Sequence, residues 1–284
     1  MDSAADFSIY AQPKIDCHCH VLDPAGFAYA PGVAYRPAGQ ETGSAAYFGD
    51  VMAAYGVRHA LLVGPNSGYG DDNRCLLDAI ARGQGRFKGI AVVPNDASSM
   101  QLQDFKAQGI VGVAFNFALH GLEHYADIGP LLSRLAALDL FVQVQVEQDQ
   151  LKALAPRLSD RGARLLIDHC GRPSVGEGIL GDDGFQALLG LAGGGKTTVK
   201  LSGFSKFSQQ DYPFADTLAH SRALLDAFGP EHCVWASDWP FLKAPRRLDY
   251  GPLLQLFART VPEEAMRQAI LWRTPLRLFG FGTG

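Results

Sequence analysis

What this chain lacks narrows it before any motif is read. It has no run of about 18 apolar residues, so no transmembrane helix is expected. Neither charge sign dominates: 25 Lys and Arg are interspersed with 29 Asp and Glu, for a formal net charge of −4. That argues against the basic surface a nucleic acid or an anionic membrane would require. Met1-Asp2-Ser3-Ala4-Ala5-Asp6 has neither the basic nor the apolar region of a secretion signal, which points to the cytoplasm. The five cysteines, at 17, 19, 75, 170 and 233, are odd in number and three fall in expected strands. They read as small buried residues in a reducing compartment, not as a disulfide framework. No Gly-x-Gly-x-x-Gly follows the first strand, which disfavours a doubly wound dinucleotide fold. Gly193-Gly194-Gly195-Lys196-Thr197 lacks the spacing of a phosphate loop and precedes a strand, so it reads as a turn.

What is present begins with Ile15-Asp16-Cys17-His18-Cys19-His20, the end of a short strand that runs into a loop at 21–24. Residues two apart on a strand share a face, so His18 and His20 project together, with Cys17 and Cys19 turned away. Two imidazoles on one face can hold a metal or polarise a bound oxygen. Residues 21–43 form a long loop rich in Pro, Gly and aromatics, including Tyr35. A loop of this length inside a compact domain is either functional or a surface arm.

From there the chain alternates. Strand-like stretches lie at 14–19, 59–63, 87–93, 110–117, 140–146, 164–167, 197–201 and 233–236. Helical spacing appears at 44–55, 73–81, 102–108, 130–138, 150–158, 184–191, 214–228, 253–258 and 262–278. Several strands are continuously apolar, as parallel strands buried on both faces are. Eight such units in 284 residues, 47% of them hydrophobic, predict one α/β domain over 1–284, a (β/α)8 TIM barrel. Catalytic groups of such barrels sit at the C-terminal ends of the strands, which is where His18, His20, His169, Ser202 and Asp238 fall. Closure places strand eight beside strand one, and so Asp238 beside the two histidines. A carboxylate next to imidazoles is a general-base arrangement or a metal site. Arg172 offers a planar fork for a carboxylate, or a salt bridge that holds its loop. His59 and His232 belong to the bottom of the barrel and His220 to an outer helix, while His120 and His124 follow strand four on the functional face. Trp239 and Phe241 wall the pocket or pack beneath it.

Asp-x-His-x-His at 16–20, Val-Gly-Val-Ala-Phe-Asn-Phe at 111–117, Ile-Asp-His-Cys-Gly-Arg-Pro at 167–173, Val-Lys-Leu-Ser-Gly at 199–203 and Ala-Ser-Asp-Trp-Pro at 236–240 occur in this order. Together they resemble the amidohydrolase superfamily, in particular the branch with 2-pyrone-4,6-dicarboxylate lactonase, 4-sulfomuconolactonase and sugar-lactone hydrolases. The resemblance implies that Asp238 acts as general base on the attacking water. It implies that His18, His20 and His169 surround and polarise the scissile carbonyl. It implies that Arg172 binds a substrate carboxylate and that Tyr35 reaches the substrate. Asn116, Gln145, Ser202 and Lys206 complete the expected substrate-binding set. The chain departs from the dicarboxylate lactonase at Ala114 and near His120, where that enzyme has arginines. It also departs at Gln145, where a tyrosine is expected, and Lys206 falls near a further arginine position.

Residues 112–117 offer no acid or lysine to bridge two metals, and Gln143 and Gln145 replace the strand-five histidine of metal-dependent members. No cofactor is the first expectation. The alternative is one Zn2+ on His18, His20 and Asp238, with His169 as a further ligand or polariser. The expected activity is hydrolysis of a small acidic lactone, with no nucleic-acid or membrane partner. The rivals are a zinc-dependent decarboxylase of the same superfamily, a sugar-lactone hydrolase or isomerase, and a barrel that only binds a small acid.

Overall fold

In the computed structural model, which describes residues 8–282, the alternation closes on itself. The strands are β1 (Lys14–Cys19), β2 (Val57–Val63), β3 (Phe87–Ala91), β4 (Ile110–Asn116), β5 (Phe141–Gln145), β6 (Leu165–Ile167), β7 (Thr197–Leu201) and β8 (Cys233–Trp235). All neighbours pair in parallel, in the order β1 to β8 of one eight-stranded sheet. One main helix follows each strand: α1 (Ala45–Ala54), α2 (Arg74–Arg82), α3 (Ser99–Ala107), α4 (Gly129–Ala137), α5 (Gln150–Ser159), α6 (Asp183–Gly190), α7 (Leu218–Phe228) and α8 (Tyr250–Thr260). The fold is the (β/α)8 barrel.

Local chemistry sets the helix ends. Ser44, Ser98 and Asp182 accept hydrogen bonds from the amides of Tyr47, Gln101 and Phe185, which would otherwise lack partners in the first turns of α1, α3 and α6. Boundaries differ from the sequence pattern by a few residues: β2 begins at Val57, so His59 lies within it. A helical turn at Ser8–Ala11 precedes the barrel without having been signalled by periodicity. The stretch 262–278 is not one helix but Glu264–Gln268, a π-helical turn at Ala269–Arg273, and Thr274–Phe279. The Gly-rich segment is a 3₁₀ turn, Ala192–Gly194, leading into β7. The first six residues, which carry the localisation reading, lie outside the described range. No described helix is long and apolar enough to cross a membrane.

Two apolar layers form. Between strands and helices lies the larger one. Inside the barrel, Ile15, Cys17, Leu61, Ile90, Phe141, Leu166 and Val234 pack together, closed from below by Phe279 and Phe281. Cys17 thus belongs to the interior and Cys19 to the outer layer, whereas simple alternation turned both away from the histidines. A register shift between Asp16 and Cys19 explains the difference: the irregularity breaks the period of two, so Cys17 and His18 both face the axis.

The seam between β8 and β1 is closed by Asp16. Its buried carboxylate accepts from the Ser237 amide at 3.0 Å, the Ser237 hydroxyl at 2.5 Å and the Tyr250 hydroxyl at 2.8 Å. Just above, Asp238 N donates to His18 O and His20 N to Trp239 O, each at 2.8 Å. The clasp therefore sets Asp238 against the two histidines.

Candidate active site

A cavity of about 380 Å³ opens at the C-terminal ends of the strands. Its walls include His18 and His20 from β1, Asn116 from β4, Gln143 and Gln145 from β5, His169 and Arg172 after β6, Lys206 after β7 and Asp238 after β8. These residues lie far apart in sequence and meet because the barrel brings every strand end to one rim. Of the expected site residues, Tyr35 and Ser202 stand outside the lining.

Asp238 is the hub. Its Oδ1 lies 3.7 Å from Nε2 of His18, of His20 and of His169. Its Oδ2 takes the Lys206 ammonium at 2.9 Å. Burial alone would raise the Asp238 pKa, but the Lys206 ammonium and the His169 ring overcome it and hold the carboxyl well below the usual range. Burial, with Lys200 nearby, pushes His18 down to about 4. Burial likewise takes His169 well below its ordinary value. At neutral pH the site thus sets an ionised Asp238 carboxylate beside the uncharged rings of His18 and His169.

The backbone is bent to make this cluster. His169, Cys170 and Arg172 have φ of +50°, +57° and +48°, and Asp238 has +63°. Each left-handed non-glycine residue carries about 1–3 kcal/mol of strain, which the surrounding packing must hold in place. Gly203 lets the His169 ring approach, since a Cβ there would fall 2.6 Å from the imidazole.

Below the histidines lies a group that motif reasoning missed. Lys200, on β7, is 0% exposed. Its Nζ meets Gln143 Oε1 at 2.6 Å, Asp168 Oδ1 at 3.0 Å and His18 Nδ1 at 3.1 Å. Gln143 Nε2 donates to Asp168 Oδ2 at 3.0 Å, and His18 Nδ1 is 3.2 Å from Asp168 Oδ1. The available signal was a lysine inside a strand otherwise expected to be buried on both faces. His20 is oriented separately: its Nδ1 donates to the Val63 carbonyl at 2.8 Å, which leaves Nε2 without a proton in the neutral ring. Ser202 stands behind His169, its hydroxyl 3.0 Å from Nδ1.

A model of the amidohydrolase family matches residues 15–281. The chain belongs to that family. It is 31% identical to a 4-sulfomuconolactone hydrolase of Hydrogenophaga intermedia over 272 residues, which covers 93% of this chain and 88% of the relative. It is 25% identical to a 2-pyrone-4,6-dicarboxylate hydrolase of Comamonas testosteroni over 281 residues, 93% of this chain and 89% of the relative. Among solved structures it superimposes on a probable 2-pyrone-4,6-dicarboxylic acid hydrolase of Acinetobacter baumannii with citric acid bound. The TM-score is 0.83 at 27% identity, covering 94% of this chain and 99% of that one.

The periphery of the site in this amidohydrolase differs from expectation in several places. Arg172 faces the cavity, yet one of its terminal nitrogens is 3.0 Å from Glu147, a carboxylate of its own chain. Tyr35 bonds through its hydroxyl to Glu41, and its ring lies beside Lys243. Asn116 accepts from the Leu119 amide at 3.0 Å and donates to Asn66 at 3.2 Å, so it braces the β4 loop while lining the cavity. Trp239 is buried with its ring centroid 4.6 Å from that of Phe48, and neither it nor Phe241 joins the lining. Beyond β4, His120 and His124 stack on each other with centroids 4.6 Å apart, both exposed. His59 stacks on Phe281 and Trp272 at the bottom of the barrel.

The donors expected for a metal lie together. One ligand atom each from His18, His169 and Asp238 lie within 4.8 Å of one another. His20 Nε2 stands 3.2 Å from His18 Nε2. His169, the expected further ligand or polariser, therefore stands with His18, His20 and Asp238. Three imidazoles and a carboxylate suit one tetrahedral zinc ion.

Proposed function

We propose that this amidohydrolase hydrolyses a small carboxylated lactone, with Asp238 as the general base that activates water. The observation that carries the reading is the placement of Asp238 Oδ1 3.7 Å from three imidazole Nε2 atoms on the pocket floor. That spacing is too long for direct hydrogen bonds, so Oδ1 keeps an acceptor position open toward the cavity, where a water can bind beside the imidazoles. The names of the relatives, hydrolases of sulfomuconolactone and of pyrone dicarboxylate, support the same class.

The chemistry follows from the positions. Asp238 removes a proton from water as the water oxygen attacks the lactone carbonyl carbon. The carbonyl π pair moves onto its oxygen, and ring N–H groups of the imidazoles stabilise the resulting oxyanion. His18 carries its proton on Nε2 when Nδ1 accepts from Lys200, and His169 does so when Nδ1 accepts from Ser202. Collapse breaks the ring C–O bond, and Asp238 returns the proton to the departing oxygen. Arg172 and Lys206 are the cations for the substrate carboxylate. The reading needs no metal, because Lys200 and Lys206 already set positive charge beside His18 and Asp238. A divalent ion on His18, His20, His169 and Asp238 would act as a Lewis acid on the carbonyl.

The test is hydrolysis of 2-pyrone-4,6-dicarboxylate and 4-sulfomuconolactone by purified protein, followed by loss of ultraviolet absorbance with and without a chelator. Ring opening at an unchanged rate with chelator is expected. If neither lactone nor a sugar lactone is opened under either condition, the lactonase reading is wrong.

A further inference from the structure

With Lys200 just behind the lining counted, the cations around the cavity outnumber the acids by one. Asp238 pairs with Lys206 at 2.9 Å, Glu147 with Arg172 at 3.0 Å, and Asp168 with Lys200 behind it at 3.0 Å. One further cation lines the cavity, Lys243, in the loop after β8, and its ammonium forms no ion pair among the described residues. The excess positive charge of the pocket therefore resides on Lys243.

Lys243 is also held in place. Its backbone amide donates to Glu41 Oε1 at 2.7 Å, and the other oxygen of Glu41 takes the Tyr35 hydroxyl. Its Nζ lies 4.6 Å from the centroid of the Tyr35 ring, within reach of a cation–π contact. Its φ is +52°, a strained conformation of the kind that gathers around binding sites. Glu41 is thus turned toward Tyr35 and the Lys243 main chain, while the ammonium stays free for a ligand. Tyr35 becomes the platform for that ammonium.

We infer that Lys243 is a specificity-determining residue that takes a second anionic group of the substrate, away from the carbonyl under attack. The substrate class is then a lactone with two acid groups: one meets Lys206 and Arg172, and the other, a carboxylate or a sulfonate, meets Lys243. This deepens the lactonase reading and rests on it for the identity of the scaffold between the two anions.

The test uses non-hydrolysable rings, so that binding is read apart from turnover. Benzoate carries one acid group, isophthalate two carboxylates in meta positions, and 3-sulfobenzoate one carboxylate and one sulfonate. Calorimetric titration of wild type should show one or both dianions binding about five- to tenfold tighter than benzoate, the size expected of one partly exposed charge-assisted contact. K243Q should close that gap without changing the benzoate constant, and K243R should keep it. The dianion with the larger gap identifies the second group. A wild type without a gap, or a K243Q variant that keeps it, overturns the inference. If wild type opens lactones but K243Q keeps the gap, the assignment of Lys243 fails and the lactonase reading stands. If wild type opens none but loses its gap in K243Q, the lactonase reading fails and Lys243 remains the dianion contact.

Discussion

Two buried carboxylates flank the His18 ring, each with a lysine ammonium about 3 Å away: Asp168 with Lys200 at 3.0 Å and Asp238 with Lys206 at 2.9 Å. Nδ1 of His18 faces the first at 3.2 Å, and Nε2 faces the second at 3.7 Å. In the lower pair the side chains are 0% and 1% exposed, and both Asp168 oxygens have donors, Oδ1 in Lys200 and Oδ2 in Gln143. In the upper pair Lys206 is 19% exposed, and among the described residues Asp238 Oδ1 has only the three long imidazole contacts. The same charges therefore divide the labour. A carboxylate with every acceptor satisfied fixes geometry, and one with an acceptor left toward the pocket can move a proton.

The sharpest way to break that contrast is to neutralise each acid in turn. Asp238→Asn keeps the shape and removes the base, so kcat should fall by roughly 10²–10⁴-fold, the usual worth of a general base, with the melting temperature nearly unchanged. Steady-state kinetics and a thermal melt on the same preparation check both halves. Asp168→Asn should do the reverse. It leaves the Lys200 ammonium buried without its carboxylate, which costs about 3–5 kcal/mol in comparable pairs, read as a lower urea midpoint. If Asp168→Asn keeps its stability while Asp238→Asn loses it, the two roles have been assigned backwards.

A smaller effect separates the two lysines. Lys206 favours the charged form of Asp238, so its removal raises the pKa of that carboxyl. The reaction needs the carboxylate, and a higher pKa means that protonation sets in at higher pH on acidification. In Lys206→Met the acid limb of the kcat/KM profile should therefore move to higher pH. Lys200 lies on the far side of the His18 ring from Asp238, so Lys200→Met should chiefly lose stability, with any change in the acid limb coming through His18, whose pKa rises without the ammonium. A limb that moves in Lys200→Met and stays in Lys206→Met would contradict the geometry.

The fold was legible because its signals are local. Runs such as Leu165–Ile167 and Thr197–Leu201 are bounded by turns, and the histidines and Asp238 lie where strands end. What escaped is what only closure creates. Gln143, Asp168 and Lys200 come from three different strands, and nothing in the spacing announces that their side chains converge under His18. The Glu147–Arg172 pair joins two loops in the same way. Cys17 was misplaced because the period of two was extended through a register shift that no residue type marks. Tyr35 sits in a loop without periodicity, so its partners Glu41 and Lys243 became visible only with the β8 loop in place.

The finest distinction concerns His169, which touches the upper carboxylate on one side and Ser202 on the other. The Ser202 residue is 2% exposed, and its hydroxyl, 3.0 Å from Nδ1, can donate to that nitrogen or accept from it. With Ser202 donating, Nε2 bears the hydrogen and points to the pocket, where it can meet an oxyanion. Ser202→Ala removes one hydrogen bond of about 1 kcal/mol, so kcat should drop roughly fivefold with KM little changed. Ser202→Thr, which restores the hydroxyl, should recover most of the loss. A purely packing role would instead leave Ala, the smaller side chain, close to wild type and make Thr the more damaged variant, because the added methyl must fit against the His169 ring.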